Sequence, residues 1–201
     1  VADHAPSVSS RGRYEVLGIV DSTRMRIDKI NKKKDIKVLF GYEVNILKDK
    51  TLGMPDEILE KLDFVIASIH TSFTEDRDLQ TDRLIAAIEN PHVDIVGHPT
   101  GRMINERDPI DVDWDKIFKA AKKHDKILEI NSQPKRLDLP PHLIKDAINQ
   151  GIKLIINTDA HAEDELDLMK YGVSVARRGW CKKENIINTL PVEEFVKLFE
   201  K

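Results

Sequence analysis

The stretch Lys153-Leu154-Ile155-Ile156-Asn157-Thr158-Asp159-Ala160-His161 decides the fold. Its first half is a short apolar run, as expected of a strand buried on both faces. Its second half sets an acid and an imidazole two residues apart where that strand should end. Four more runs read as strands: Lys37-Val38-Leu39-Phe40, Phe64-Val65-Ile66-Ala67, Val93-Asp94-Ile95-Val96 and Ile127-Leu128-Glu129-Ile130. Gly172-Val173-Ser174-Val175-Ala176 predicts a further short one, and Val1-Ala2-Asp3-His4 reads as the end of another. Amphipathic segments lie between. Within 113–124, Trp114, Ile117, Phe118 and Ala121 follow i, i+3, i+4, i+7. Within 141–150 the apolar set is Leu143, Ile144, Ala147 and Ile148, opened by Pro140-Pro141 and closed by Gly151. Segments 22–34, 54–62, 78–90 and 192–200 also predict helices. Strands alternating with helices through short connections define an α/β fold with a parallel sheet, either barrel or doubly wound.

The 201 residues suit one domain, with 40% apolar and 33% charged residues. No apolar run approaches the length of a membrane span, and no basic-then-apolar leader opens the chain. The lone Cys181 excludes an internal disulfide and suits a reducing cytoplasm; no catalytic pattern surrounds it. A net charge of −3 argues against a broad basic groove. It does not exclude a phosphate-bearing substrate, because bound divalent cations supply positive charge where a phosphate would sit. The basic run Arg24 to Lys37 reads as a solvated helix face.

The seven histidines fall into two groups. His4, His70, His98 and His161 each follow a strand run. His92, His124 and His142 precede strands or end helices. In parallel α/β folds the C-terminal edge of the sheet is where successive loops converge on an active site. Four imidazoles from four strands should therefore meet, joined by Glu43 after Val38–Tyr42 and by Asp159. Any one of them alone reads as an ordinary polar residue. All six at one predicted edge read as a site for Zn²⁺, Mn²⁺ or Fe²⁺, with carboxylates able to bridge two ions. Arg102, in Gly97-His98-Pro99-Thr100-Gly101-Arg102, suits bidentate phosphate binding. Asn131 and Arg136 follow the 127–130 run. Arg177-Arg178-Gly179-Trp180 joins two cations to an aromatic plane that could hold a phosphate and stack a base. Ordinary packing is the plainer reading of Trp180.

These strings, with Ala67-Ser68-Ile69-His70, Glu129-Ile130-Asn131, Arg136-Leu137-Asp138-Leu139 and Gly172 through Trp180, resemble the PHP domain of bacterial and archaeal family X DNA polymerases. The resemblance runs from Asp3-His4 to about Leu190. It implies a distorted (βα)₇ barrel with up to three divalent metals, Mn²⁺ foremost and Zn²⁺ or Fe²⁺ as alternatives. In that pattern Glu43 bridges two metals, His70 and His98 serve the second, Asp159 the first, and His4 and His161 the third. Glu43, Asp159 and Arg102 become catalytic; Arg102, Asn131, Arg136, Arg177 and Arg178 face substrate. The resemblance also implies that residues 1–201 are a partial domain lacking the first barrel strand, which carries a His-x-His pair. It implies 3′→5′ exonuclease, 3′-end or abasic-site chemistry on single-stranded or gapped DNA, beside a polymerase core in the same parent chain. Two alternatives stand beside it: a phosphomonoesterase of the histidinol-phosphatase type, and an inactive domain that stabilises a polymerase core.

Overall fold

The computed structural model describes residues 1–33 and 36–200. Six parallel strands form one sheet in sequential order: β1 (Ala2–His4), β2 (Gly41–Asn45), β3 (Phe64–Ser68), β4 (Ile95–Val96), β5 (Ile127–Asn131) and β6 (Leu154–Asn157). Helices α1 (Val8–Arg11), α2 (Arg13–Asn31), α3 (Asp56–Leu59), α4 (Arg77–Glu89), α5 (Trp114–Lys123) and α6 (Pro141–Asn149) occupy the crossovers. Helices α7 (Met169–Arg178) and α8 (Val192–Lys197) follow β6. The sheet is curled: His4, ending the first strand, has its Nε2 3.4 Å from Nε2 of His161, just past the last. The fold is thus α/β with an arc of six parallel strands.

Strand register explains where a site can form. Glu43 pairs with Ile66, Ile66 with Ile95, Ile95 with Ile127, Glu129 with Ile155 and Asn131 with Asn157. These residues share one face, because alternate side chains along a strand point the same way. At the N-terminal end of the strands that face is apolar, with Phe64, Ile66, Ile95, Ile127 and Ile155 packed under Phe199. Toward the C-terminal end it turns polar, through Glu43, Ser68, Glu129, Asn131 and Asn157. The opposite face, with Val65, Ala67, Val96, Leu128, Ile130 and Leu154, packs with the helices in the main core. At the outer edge of β6, the Asn188 side chain accepts from Ile156 N–H (2.7 Å) and donates to Ile156 C=O (2.9 Å). One carboxamide thereby continues the ladder.

Several sequence expectations are corrected. Lys37–Phe40 is no ladder strand; pairing starts at Gly41. Asn31 takes both backbone groups of Val38 with its side chain, donating to the C=O (2.9 Å) and accepting from the N–H (2.7 Å). Gly172–Ala176 is helical, inside α7. Gly172, Val175 and Ala176 are buried at i, i+3, i+4, while Val173 is exposed. A side chain at Gly172 would sit 2.1 Å from Ser132 Oγ, so only glycine lets α7 lie this close. Helix α2 starts at Arg13, nine residues before the expected Ser22, and the expected Lys34 terminus lies outside the described residues. The 54–62 segment contains only the four-residue α3. Arg24 is no freely solvated charge: its guanidinium pairs with Asp63 (2.9 Å) and lies over Phe40.

Candidate metal centre

Glu43 sits mid-strand in β2 rather than past its end, and three imidazoles converge on it. Oε2 is 3.1 Å from His4 Nδ1. Oε1 is 2.9 Å from His98 Nε2 and 3.4 Å from His70 Nε2. His161 reaches the group through His4. The ligand atoms of His4, Glu43 and His70 lie within 4.8 Å of one another.

The arrangement fits a divalent cation. His98 is buried, yet neither ring nitrogen has an aligned hydrogen-bond partner among the described residues; its short approach to Glu43 is a contact of charge without hydrogen-bond geometry. Adjacent donors on an ion bound at about 2.1 Å stand roughly 3 Å apart, close to the spacing of Glu43 from His4 and from His98. Tautomers point the same way. His70 Nδ1–H donates to Asn45 Oδ1 (2.6 Å), and His161 Nδ1–H donates to the Asp159 carbonyl (2.9 Å). Each ring therefore turns an Nε2 lone pair inward, the orientation that outer-shell partners give metal-binding histidines.

The second carboxylate, Asp159, is held beside this group. Its Oδ2 accepts from Asn131 Nδ2 (3.0 Å) and lies 3.5 Å from Arg136 Nε. Both Asp159 (φ 52°) and His98 (φ 28°) have left-handed backbone, a conformation that costs energy and clusters at functional positions. Beneath them Glu129 is buried, accepting from His98 N–H (2.7 Å) and from the Asn131 (3.2 Å) and Asn157 (2.8 Å) amides.

A cleft of about 460 Å³ opens next to the cluster, lined by His70, Phe73, Met103, Glu106, Arg107 and Arg136. Arg136 Nη1 is buried there without a hydrogen-bond partner among the described residues. Arg107 stacks 3.5 Å from the Phe73 ring centroid. Arg102 is committed to backbone: Nε donates to the Arg136 carbonyl (2.7 Å) and Nη2 to that of Leu137. Arg177 and Arg178, on the last turn of α7, make no ion pair with the cluster among the described residues. Trp180 is exposed, contrary to the packing expected of it. Sequence reasoning missed Asn45, Arg107 and Phe73. Asn45 had a signal, since it stands two residues from Glu43 on one strand and must share its face.

Fold and cluster together define the class: a parallel α/β domain with a candidate divalent-metal centre at the C-terminal edge of its sheet. No family model matches the chain. It is 43% identical over 175 residues to the DNA polymerase/3′-5′ exonuclease PolX of Bacillus subtilis strain 168, covering 85% of this chain and 31% of that one. The chain thus spans about a third of that relative. It is 32% identical over 199 residues to a probable phosphatase of Thermoanaerobacter sp. strain X514, covering 94% of this chain and 76% of the relative. The fold matches the crystal structure of histidinol phosphate phosphatase from Lactococcus lactis, complexed with zinc, L-histidinol and phosphate. That match has a TM-score of 0.52 at 19% identity, over 81% of this chain and 74% of the other. The chain belongs to the PHP family, the polymerase and histidinol phosphatase domains. No helix of the described residues is long and apolar enough to cross a membrane.

Proposed function

We propose that this domain hydrolyses phosphodiester bonds at DNA 3′ ends, single-stranded or gapped, using divalent metal, within a chain that also carries a polymerase core. The carrying observation is the Glu43 carboxylate, whose two oxygens face different imidazoles, Oε2 toward His4 and Oε1 toward His70 and His98. A carboxylate so placed suits bridging of two ions. The 43% identity to a Bacillus protein named for both polymerase and exonuclease activities supports DNA as substrate.

His4, Glu43, His70, His98, Asp159 and His161 would hold the metals, up to three, with Mn²⁺ first and Zn²⁺ or Fe²⁺ as alternatives. A bound divalent ion supplies Lewis-acid polarisation of the phosphoryl group and a water acidified toward neutral pKa. The protein does the rest. Arg136, with its free Nη1, and Arg107 line the cleft and bind phosphate oxygens. Arg102 acts at one remove, gripping the Arg136-Leu137 backbone so that Arg136 faces the cleft. Asn131 fixes the Asp159 carboxylate.

The test is Mn²⁺-dependent shortening of a 5′-labelled oligonucleotide. His70→Ala and Asp159→Ala should each abolish it, and trimming by either at the wild-type rate refutes the assignment. A phosphomonoesterase is the second reading, favoured by the Thermoanaerobacter relative that the chain covers to 76%. Phosphate release from histidinol phosphate, with DNA untouched, would establish it.

A further inference from the structure

The end of α7 and the turn after it read Arg177-Arg178-Gly179-Trp180-Cys181-Lys182-Lys183. The helix closes with Cys181 N–H donating to the Ala176 carbonyl (3.0 Å) and Trp180 N–H to that of Arg177 (3.1 Å). This closure needs one left-handed residue, normally glycine. Here that residue is Trp180, at φ 67°. A bulky side chain is strained in that region. The neighbouring glycine is committed elsewhere, since a Cβ on Gly179 would lie 2.3 Å from Ile144 Cγ2.

Packing does not compensate for the strain. The indole is 73% exposed, and its described ring contact is Lys145 Nζ, 5.7 Å from the centroid. Arg177, Arg178, Lys145, Lys182 and Lys183 are all exposed, and none forms an ion pair among the described residues. The acids nearest them in sequence are Asp146 and Glu184. A strained, solvent-facing aromatic among unpaired cations, in a chain of net charge −3, complements a flat ring joined to phosphates.

We propose that this surface binds single-stranded nucleic acid, stacking a base on Trp180 while Arg177, Arg178, Lys145 and Lys182 contact phosphates. The proposal takes its kind of ligand from the DNA-directed reading above but needs no part of the metal cluster.

The test is a fluorescence titration with a short thymidine oligonucleotide in EDTA. A Trp114→Phe background leaves Trp180 as the sole indole. Saturable quenching is expected, with affinity falling about 0.7 log per log of salt for each phosphate contact. Replacing both Arg177 and Arg178 by Ala should cut that slope by about 1.4. Read by anisotropy of the same oligonucleotide carrying a 5′ fluorophore, since no indole remains, Trp180→Ala should weaken binding about tenfold, the size of one stacked base. Trp180→Gly should bind as weakly while raising Tm by about 2 °C, since glycine suits the turn. A lower Tm for Trp180→Gly would make the indole structural and overturn the proposal. So would an unquenched indole, or binding only to vesicles of anionic phospholipid. Unquenched Trp180 in a chain that trims DNA sinks this proposal alone; quenching in a chain that trims nothing sinks only the hydrolytic reading.

Discussion

Glu43 Oε1 and His98 Nε2 stand 2.9 Å apart, with the imidazole buried. Burial acts to raise the Glu43 carboxyl, but the adjoining His70 and His98 imidazoles outweigh it and hold the group well below the ordinary carboxylate range. Burial likewise acts to lower His98, and the Glu43 contact with the nearby Glu129 charge outweighs it, so His98 is raised. A raised histidine stabilises the metal-free fold fully below its unfolded pKa near 6.5. That contribution is lost as pH climbs through the raised folded value.

Metal must displace that proton. Mn²⁺ binding at pH 6.5 is expected to release protons, His98 contributing because its value is raised. Calorimetry in two buffers of different ionisation heat measures the release. Binding without proton release would show that His98 is not a ligand.

Asn45→Ala should lower Mn²⁺ affinity about 10- to 100-fold by freeing the His70 ring from its tautomer and orientation. Isothermal titration checks this, and unfolding in urea should show the fold little changed. Unaltered affinity would place His70 outside the centre.

Arg83 is fully buried and donates to the Ile46 (2.7 Å), Leu47 (3.1 Å), Thr71 (3.1 Å) and Ser72 (3.0 Å) carbonyls and to Gln80 Oε1 (2.8 Å). It ties the loop after β2 to the one carrying His70. Arg83→Met should destabilise the fold by about 3 kcal/mol, because several buried carbonyls lose their donor. Lysine, with three donors and no fork, should restore only part. Urea denaturation of the three forms measures both effects; equal midpoints would contradict the clamp.

Burial pushes the Cys181 thiol up to about 11. At pH 8 its thiolate fraction falls about a hundredfold below that of an unfolded cysteine. Labelling by a thiol-specific disulfide reagent should be slower in the native state by about that factor, and should speed up as pH rises toward 11. The raised thiol favours the fold below pH 9, and that gain fades through pH 11. Fast native labelling at pH 8 would mark Cys181 as reactive.

Much of this molecule is written locally, and the exceptions have causes. Leu154–Asn157 could be read because a strand buried on both faces leaves an unbroken apolar run. Asp159 and His161 followed from their place at its end. Lys37–Phe40 misled because Asn31, distant in sequence, takes the groups Val38 would have offered a ladder. In Gly172–Ala176, five residues are too few to separate a period of two from one of 3.6, and the choice rests on Gly172 meeting Ser132. Arg83 looks like any surface arginine of an amphipathic helix; its burial depends on carbonyls from two other loops. The convergence of His4, Glu43, His70 and His98 was legible because topology alone sends the C-terminal ends of parallel strands to one place. Arg102 and Arg136 follow such ends too, but which of them grips backbone and which faces the cleft is decided by the 131–140 loop.

The most direct test is a Mn²⁺ titration of the chain beside its Glu43→Gln variant, read by electron paramagnetic resonance and calorimetry. A carboxylate shared by His4, His70 and His98 should give saturable binding in the parent and loss of at least one ion per chain in the variant. Equal stoichiometry and affinity in the two proteins would show that the metal, if bound at all, is held elsewhere.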